Sequence, residues 1–380
     1  MPIKIFYVAA FAQPSDHAWF SLGRMRKVGQ IVSTIGNLAY HIQYLNIAPF
    51  RQGSIEIGTP PIPVRRLCST SFLPLRVIQL LFNSSHFFLA IKNWSSPSIL
   101  WLYNTRFAES SVALAALIVR PQLRLVLQLE DLASARDDNH GWAGAIDRLT
   151  TSFLSRRANR VFAVSEDVAQ AFSIENNFDY DSIEILPPTL DPIFSRLVAE
   201  RNEPFSSPRY TILYAGSYHR EKGAYDLIEA FLSLGRINAQ LILAGSAPEQ
   251  TKALYKAEPH ILFTGVINNE ALYKLYASCD VVVNPHRKIL NSNYIFPFKL
   301  IETVSSGALP LTTAVPGSEK LGLPPDCFIK DIMDLSDKLS RAPDLWRKNR
   351  KFVQTAASIC RQHYSSEAMT QKIKSTLSSL

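Results

Sequence analysis

Tyr210-Thr211-Ile212-Leu213-Tyr214-Ala215-Gly216 is an apolar run closed by a glycine, and Arg220-Glu221-Lys222-Gly223 leads from it into a helical pattern. Three more strand–helix units follow. The last carries Phe296-Pro297-Phe298-Lys299-Leu300-Ile301-Glu302 on to Gly307 and ends at Thr313. The helices show one apolar face: Ala224, Leu227, Ile228, Phe231 and Leu234 recur at steps of three or four, as do Leu272, Leu275, Tyr276 and Cys279. Strands alternating with such helices predict a parallel sheet covered on both sides. That order also predicts a crevice at the carboxyl ends of the strands, where a lysine and a helix N-terminus can hold a diphosphate.

Working outward, strands are predicted at Thr211–Ala215, Gln240–Ala244, Ile261–Thr264, Val281–Asn284, Leu309–Thr312 and Cys327–Ile329. The first half alternates in the same way. Strands are expected at Ile3–Val8, Gln43–Ile47, Ser98–Tyr103, Arg124–Leu129, Arg160–Val164 and Ser182–Leu186. Helices are expected at Phe20–Leu38, Ser110–Val119 and Ala143–Arg157, and after Ser165 as N-cap. Residues 195–208, rich in charge, Pro and Ser, read as a linker. The fold class is therefore α/β, with two Rossmann-like domains facing a cleft. The first spans 1–195 and the second 208–361, and a crossover helix over 362–380 returns to the first.

A chain of 380 residues with 47% hydrophobic and 19% charged side chains is an ordinary globular protein. Four scattered cysteines, Cys68, Cys279, Cys327 and Cys360, argue for free thiols in a reducing compartment. The net charge of +8 suits an anionic partner. Nucleic acid is not expected, because the basic residues fall in short separate clusters without a nucleic-acid motif. Ile5–Ala12 reads as a first buried strand rather than a signal segment, and no apolar run is long enough to span a bilayer. Residues 72–91 are dense in Phe, Leu and Ile near Arg65, Arg66 and Arg76. They fit either a core helix or a helix lying on a membrane surface.

For chemistry, Gly216 ends a strand where a ligand can approach backbone, and Lys222 can hold phosphate as a point charge. Pro297 suits a first helical turn and Gly307 a helix end. The amides near Phe298, Lys299 and Leu300 are then open donors for a pyrophosphate, and Glu302 can accept from ribose hydroxyls. Other patterns fail on context. Asp179-Tyr180-Asp181 follows a polar segment and reads as a solvated loop. Asp137-Asp138-Asn139-His140 lacks calcium-loop spacing, and the histidines show no metal-ligand pairing.

These residues resemble the retaining glycosyltransferases of the glycosyl transferases group 1 family, which have the two-domain glycosyltransferase-B fold. Three pieces carry the resemblance: Ile212–Gly216 with Glu221-Lys222-Gly223, Phe263-Thr264-Gly265-Val266 through Cys279-Asp280, and Phe298–Glu302 through Gly307 and Pro310. The resemblance implies that Lys222 contacts the donor diphosphate, with Arg220 or Lys299 adding charge. It implies that the backbone at Val266 and Ile267 contacts the base, and that Glu302 holds the ribose as the second glutamate of the family's paired-glutamate motif. The first glutamate of that motif falls on Tyr294, and the usual arginine after the strand glycine on Ser217. The family's first-domain histidine aligns with Glu130, beside Asp131, which makes these two the catalytic candidates. The N-terminal glycine pair is absent, and Ser15, Asp16 and His17 in that loop become candidates for the acceptor side.

The expectation is a metal-independent retaining transferase that moves a hexose-type sugar from a nucleoside diphosphate to a glycan or lipid-linked acceptor. No cofactor is expected beyond that donor substrate. The expected location is the cytoplasm, either free or peripheral on the cytoplasmic face of the membrane. Two rivals stand beside it: a non-catalytic nucleotide-sugar-binding partner subunit, motivated by Ser217, Glu130 and Tyr294, and a sugar-nucleotide epimerase of the same fold.

Overall fold

Strand-length apolar runs become the strands of two all-parallel sheets, since burial on both faces removes the polar alternation of a half-solvated strand. The computed structural model describes residues 3–9, 22–38, 40–48, 64–93, 98–132, 142–235, 238–287, 298–315 and 317–380. The chain divides into one unit of Met1–Pro188 with Met369–Leu380 and another of Thr189–Ala368.

The first unit runs β1 (Lys4–Ala9), α1 (Leu22–Asn37), β2 (His41–Asn46), β3 (Val64–Arg66), α2 (Leu73–Ala90), β4 (Ser98–Tyr103), α3 (Phe107–Val119), β5 (Arg124–Leu129), α4 (Trp142–Ser155), β6 (Ala158–Ala163), α5 (Glu166–Asn176) and β7 (Ile183–Ile185). Its seven strands are ordered β3-β2-β1-β4-β5-β6-β7, so the winding reverses between β1 and β4. Trp101 of β4 stacks on Phe162 of β6 at 5.0 Å between ring centroids, inside a core shared with Tyr7 and Tyr44. Ser165 caps α5 as expected, its hydroxyl accepting from the amide of Val168 at 3.3 Å.

The second unit begins with α6 (Pro192–Ala199), then β8 (Tyr210–Ala215), α7 (Ala224–Ser233), β9 (Ala239–Ala244), α8 (Glu249–Leu254), β10 (Ile261–Gly265), α9 (Asn269–Ser278), β11 (Val281–Asn284), α10 (Phe298–Ser305), β12 (Leu309–Thr313), β13 (Phe328–Ile329), α11 (Ile332–Ser340) and α12 (Ala342–His363). Its six strands are ordered β10-β9-β8-β11-β12-β13, with the reversal between β8 and β11. The segment read as a linker is partly structured. Asp191 caps α6 through the amide of Ile193 at 2.8 Å, and Phe194 meets Tyr273 and Tyr276 of α9 edge-on at 5.4 and 5.5 Å. Arg201 donates to the carbonyls of Cys279 at 2.6 Å and Ser306 at 2.8 Å. Helix α6 and Arg201 thus belong to the second unit, where Phe194 is buried against α9.

The last helix, α13 (Ser366–Ser378), buries Met369, Ile373 and Leu377 in the core of the first unit. Lys372 Nζ donates to the carbonyl of Ile185 at 2.7 Å, and Thr376 donates to Glu184 at 2.7 Å, so the helix lies along β7. All four cysteines are buried and free. Burial pushes the thiols of Cys279, Cys327 and Cys360 up to about 12, which leaves them as inert packing groups.

Candidate functional site

In the second unit the reversal of strand order opens the carboxyl ends of β8 and β11 between diverging connections, the place where doubly wound sheets accept ligands. The segment after β8 and the segment after β11 are locked together there. Gly223 has φ of 69°, and a Cβ on it would lie 1.8 Å from the carbonyl oxygen of Pro285, so only glycine fits. The amide of Arg287 donates to the carbonyl of Glu221 at 2.9 Å, and the Arg287 guanidinium pairs with Asp226 of α7, its Nε at 2.6 Å from the carboxylate. Burial, with the ammonium of Lys222 adding to it, pushes the imidazole of His286 down to about 4. Lys222 therefore stands beside the exit of β11.

Glycine is required at a second position that the sequence reading missed. Gly245, at the end of β9, has φ of 147°, and its added Cβ would lie 1.9 Å from the carbonyl of Gly216. Gly216 itself is less constrained, because its added Cβ would meet only the hydroxyl end of Tyr214, at 2.7 Å. Arg220 is exposed on the same connection.

Helix α10 starts at Phe298 on the far side of the reversal. Lys299 is partly exposed, and its ammonium lies 3.7 Å from the carboxylate of Glu302, one turn further on. Glu302 is nearly buried and accepts from the hydroxyl of Tyr276 at 3.4 Å. Leu300 turns its side chain wholly into the core, so only its backbone can serve a ligand. The helix ends as read: Gly307 has φ of 72°, and the carbonyls of Ser305 and Ser306 accept from Arg361 at 2.9 Å and Arg201 at 2.8 Å. Those guanidiniums sit at the negative end of the helix dipole and leave its positive end toward β11.

The structure thus brings Gly216, Arg220, Lys222, Lys299 and Glu302 to the connections flanking one strand reversal. Val266 and Ile267 follow β10, at the same end of the sheet but two strands beyond β8, and Val266 is exposed. Tyr294, Pro297, Ser15, Asp16 and His17 lie outside the described residues, as does the side chain of Phe298.

Glu130 and Asp131 follow β5 in the first unit, and both are buried. Glu130 closes a polar chain through the core. The Tyr7 hydroxyl and the Trp101 indole N–H both donate to Gln128 Oε1 at 2.9 Å, and Gln128 Nε2 donates to Glu130 Oε1 at 2.8 Å. Lys27 of α1, also buried, donates to that same oxygen at 2.5 Å and to the carbonyl of Leu186 at 2.7 Å. Asn104, in a left-handed conformation, accepts the amide of Glu130 at 2.8 Å. Glu130 Oε2 is buried with no hydrogen-bond partner among the described residues. Asp131 faces Arg106 at 3.7 Å. The signal for Lys27 is periodic: it shares a helical stripe with the buried Ile31 and Ile35. For Gln128 the signal is a lone amide among the apolar residues that follow Arg124 in the strand.

The family comparison covers the site just described. Residues 209–342 match the model of the family described as Glycosyl transferases group 1. The matched segment is similar to that family's domain. It spans β8 through α11 and so contains the reversal, Lys222, Lys299 and Glu302. No curated protein matches the chain. Among solved structures, the chain is similar to HepE of Anabaena in complex with UDP and glucose, at 17% identity over 99% of this chain and 100% of that one, with a TM-score of 0.68. It is similar to sucrose-phosphate synthase from Thermosynechococcus elongatus, at 17% identity over 99% and 98%, with a TM-score of 0.72. A putative UDP-N-acetylglucosamine 2-epimerase from Listeria monocytogenes matches at 12% identity over 100% and 96%, with a TM-score of 0.63. At these identities the likeness speaks for the fold, which is that of the glycosyltransferase-B proteins. Among the described residues no cluster of His, Cys, Asp and Glu could hold a metal ion, and no helix is long and apolar enough to cross a membrane.

Proposed function

We propose that the chain is a retaining glycosyltransferase that moves a hexose-type sugar from a nucleoside diphosphate to a glycan or lipid-linked acceptor. One observation carries the reading: Lys222 lies on the connection after β8, and Lys299 lies in the first turn of α10 after β11, the two strands between which the order of the second unit reverses. The match of that same segment to a glycosyltransferase family supports it. So does the fold shared with HepE, which was solved with UDP and glucose.

In this reading Lys222, with Arg220 and Lys299, balances the diphosphate, and the first amides of α10 donate to it. Glu302 accepts from the ribose, while backbone at Val266 and Ile267 meets the base. Charge grows on the leaving diphosphate as the bond from the anomeric carbon to the phosphate oxygen breaks. Fixed donors aimed at that charge lower the barrier without a metal. The acceptor oxygen bonds to the anomeric carbon on the face that the phosphate leaves, and its proton passes to the departing phosphate. Glu130 and Asp131 are the catalytic candidates of this scheme, and Ser15, Asp16 and His17 belong to its acceptor side; it acts in the cytoplasm, either free or peripheral on the cytoplasmic face of the membrane.

Calorimetric titration with UDP- and GDP-linked hexoses tests the reading. One donor should bind, and Lys222→Ala and Glu302→Ala should each weaken it by about 1–3 kcal/mol, the range for a charged hydrogen bond. Unchanged affinity in both variants would refute the site. A second reading has its own support, since Lys27 already occupies Glu130: the chain binds the donor and transfers nothing. Donor binding with no nucleoside diphosphate released, even with membrane extract present, would favour it. Conversion of a sugar nucleotide without any acceptor would instead indicate an epimerase.

A further inference from the structure

Helix α2 is apolar on two faces. Leu80, Ser84, Phe87 and Phe88 are buried, and Phe87 and Phe88 meet Phe6 of β1 edge-on, both at 5.6 Å. The opposite stripe faces outward: Phe72 is 63% exposed, Ile78 63% and Phe82 70%, with Leu75 and Leu89 continuing it. The first turn, from Phe72 to Leu75, is exposed throughout. At 18 residues the helix is about 27 Å long, and its outer stripe runs its whole length. A patch of that extent on a soluble surface marks a contact rather than scatter.

The charge around the stripe selects the contact. No aspartate or glutamate occurs between Glu56 and Glu109, while Arg65, Arg66, Arg76 and Lys92 all fall inside that interval. Arg65 and Arg66 are exposed on β3, and Arg65 lies over the Phe87 ring at 4.6 Å, which fixes a cation beside the helix. Arg76 rises from the helix itself and is tied back by a 3.1 Å bond to the carbonyl of Ile47. Bulky apolar groups flanked by cations, with no carboxylate among them, match a layer of acyl chains beneath anionic headgroups.

We propose that the outer stripe of α2, with Arg65 and Arg66, docks this chain on an anionic lipid surface, the helix lying in the plane of the headgroups. This deepens the proposed use of a lipid-linked acceptor, but lipid binding can be measured without any transfer reaction. The experiment is co-sedimentation of the full chain with vesicles of phosphatidylcholine alone or mixed with phosphatidylglycerol, at low and high salt.

Binding should require phosphatidylglycerol and fall with salt. Arg65→Gln and Arg66→Gln should each weaken it about fivefold. The combination Phe72→Ser, Ile78→Ser and Phe82→Ser should weaken it by at least about tenfold. These side chains are exposed, so circular dichroism and donor titration should not change. No sedimentation with anionic vesicles, or equal sedimentation of all variants, overturns the proposal. So does a dimer that the serine variants dissociate while vesicle binding is absent. Vesicle binding without donor binding keeps this surface and removes the proposed function, and the converse result does the reverse.

Discussion

Lys27 and Glu130 form an ion pair with side chains 1% and 0% exposed, at 2.5 Å. Removing one partner of such a pair strands the other charge in the core, at a cost of about 3–5 kcal/mol, whereas replacing both by apolar groups is often near neutral. Lys27→Met and Glu130→Leu should therefore each lower stability in urea unfolding by about that much, and the double variant by far less than their sum. Additive losses would mean that the two side chains are not coupled. His286 supplies a test of the proposed donor site by pH. Its imidazole is held neutral down to about 4, against 6.5 for a free one. The unfolded chain takes up a proton at about pH 6.5 that the folded chain refuses until about 4, so this group's stabilisation is lost as pH falls through that window. NMR titration should find the low value, and Lys222→Ala should raise it, because one cation leaves the vicinity. An unmoved imidazole would separate Lys222 from the exit of β11.

At the scale of elements, α10 is an eight-residue helix, too short to be stable by itself. Leu300 and Val304 hold it to the sheet, while Arg201 and Arg361 close its carboxyl end. Arg201 reaches it from just beyond α6, and burial holds its guanidinium below the usual arginine range, as for Arg361. Arg201→Met removes two charged hydrogen bonds to backbone carbonyls and should cost about 2–4 kcal/mol. Hydrogen exchange of the α10 amides should accelerate, and the proposed donor site should loosen with it. Unaltered protection of those amides would show that the cap does not hold the helix.

For the whole molecule, α13 is part of the first unit although it follows the second in the chain. Met369, Ile373 and Leu377 are almost wholly buried there. Each such side chain contributes about 1.5–3 kcal/mol, comparable in sum with the net stability of a domain. A chain ending at Tyr364 should lose the calorimetric transition of the first unit and keep that of the second, together with donor binding. Retention of both transitions would mean that the helix only covers the surface.

Local pattern was enough for most of this architecture. The strands at Ser98–Tyr103, Arg124–Leu129 and Val281–Asn284 are read residue for residue, because a doubly buried strand is an apolar run visible in a short window. The cap at Ser165 and the helix end at Gly307 are equally local. The donor-site candidates were visible because a doubly wound sheet puts its ligand groups just after strands, where Lys222 and Lys299 stand. Folding alone decided which of those polar groups are engaged. Lys27 meets Glu130 across 103 residues, Arg201 meets Ser306 across 105, and Arg287 meets Asp226 across 61. No window of sequence contains both partners, and a charge becomes a buried anchor or an open ligand group only when the chain brings its counterpart to it.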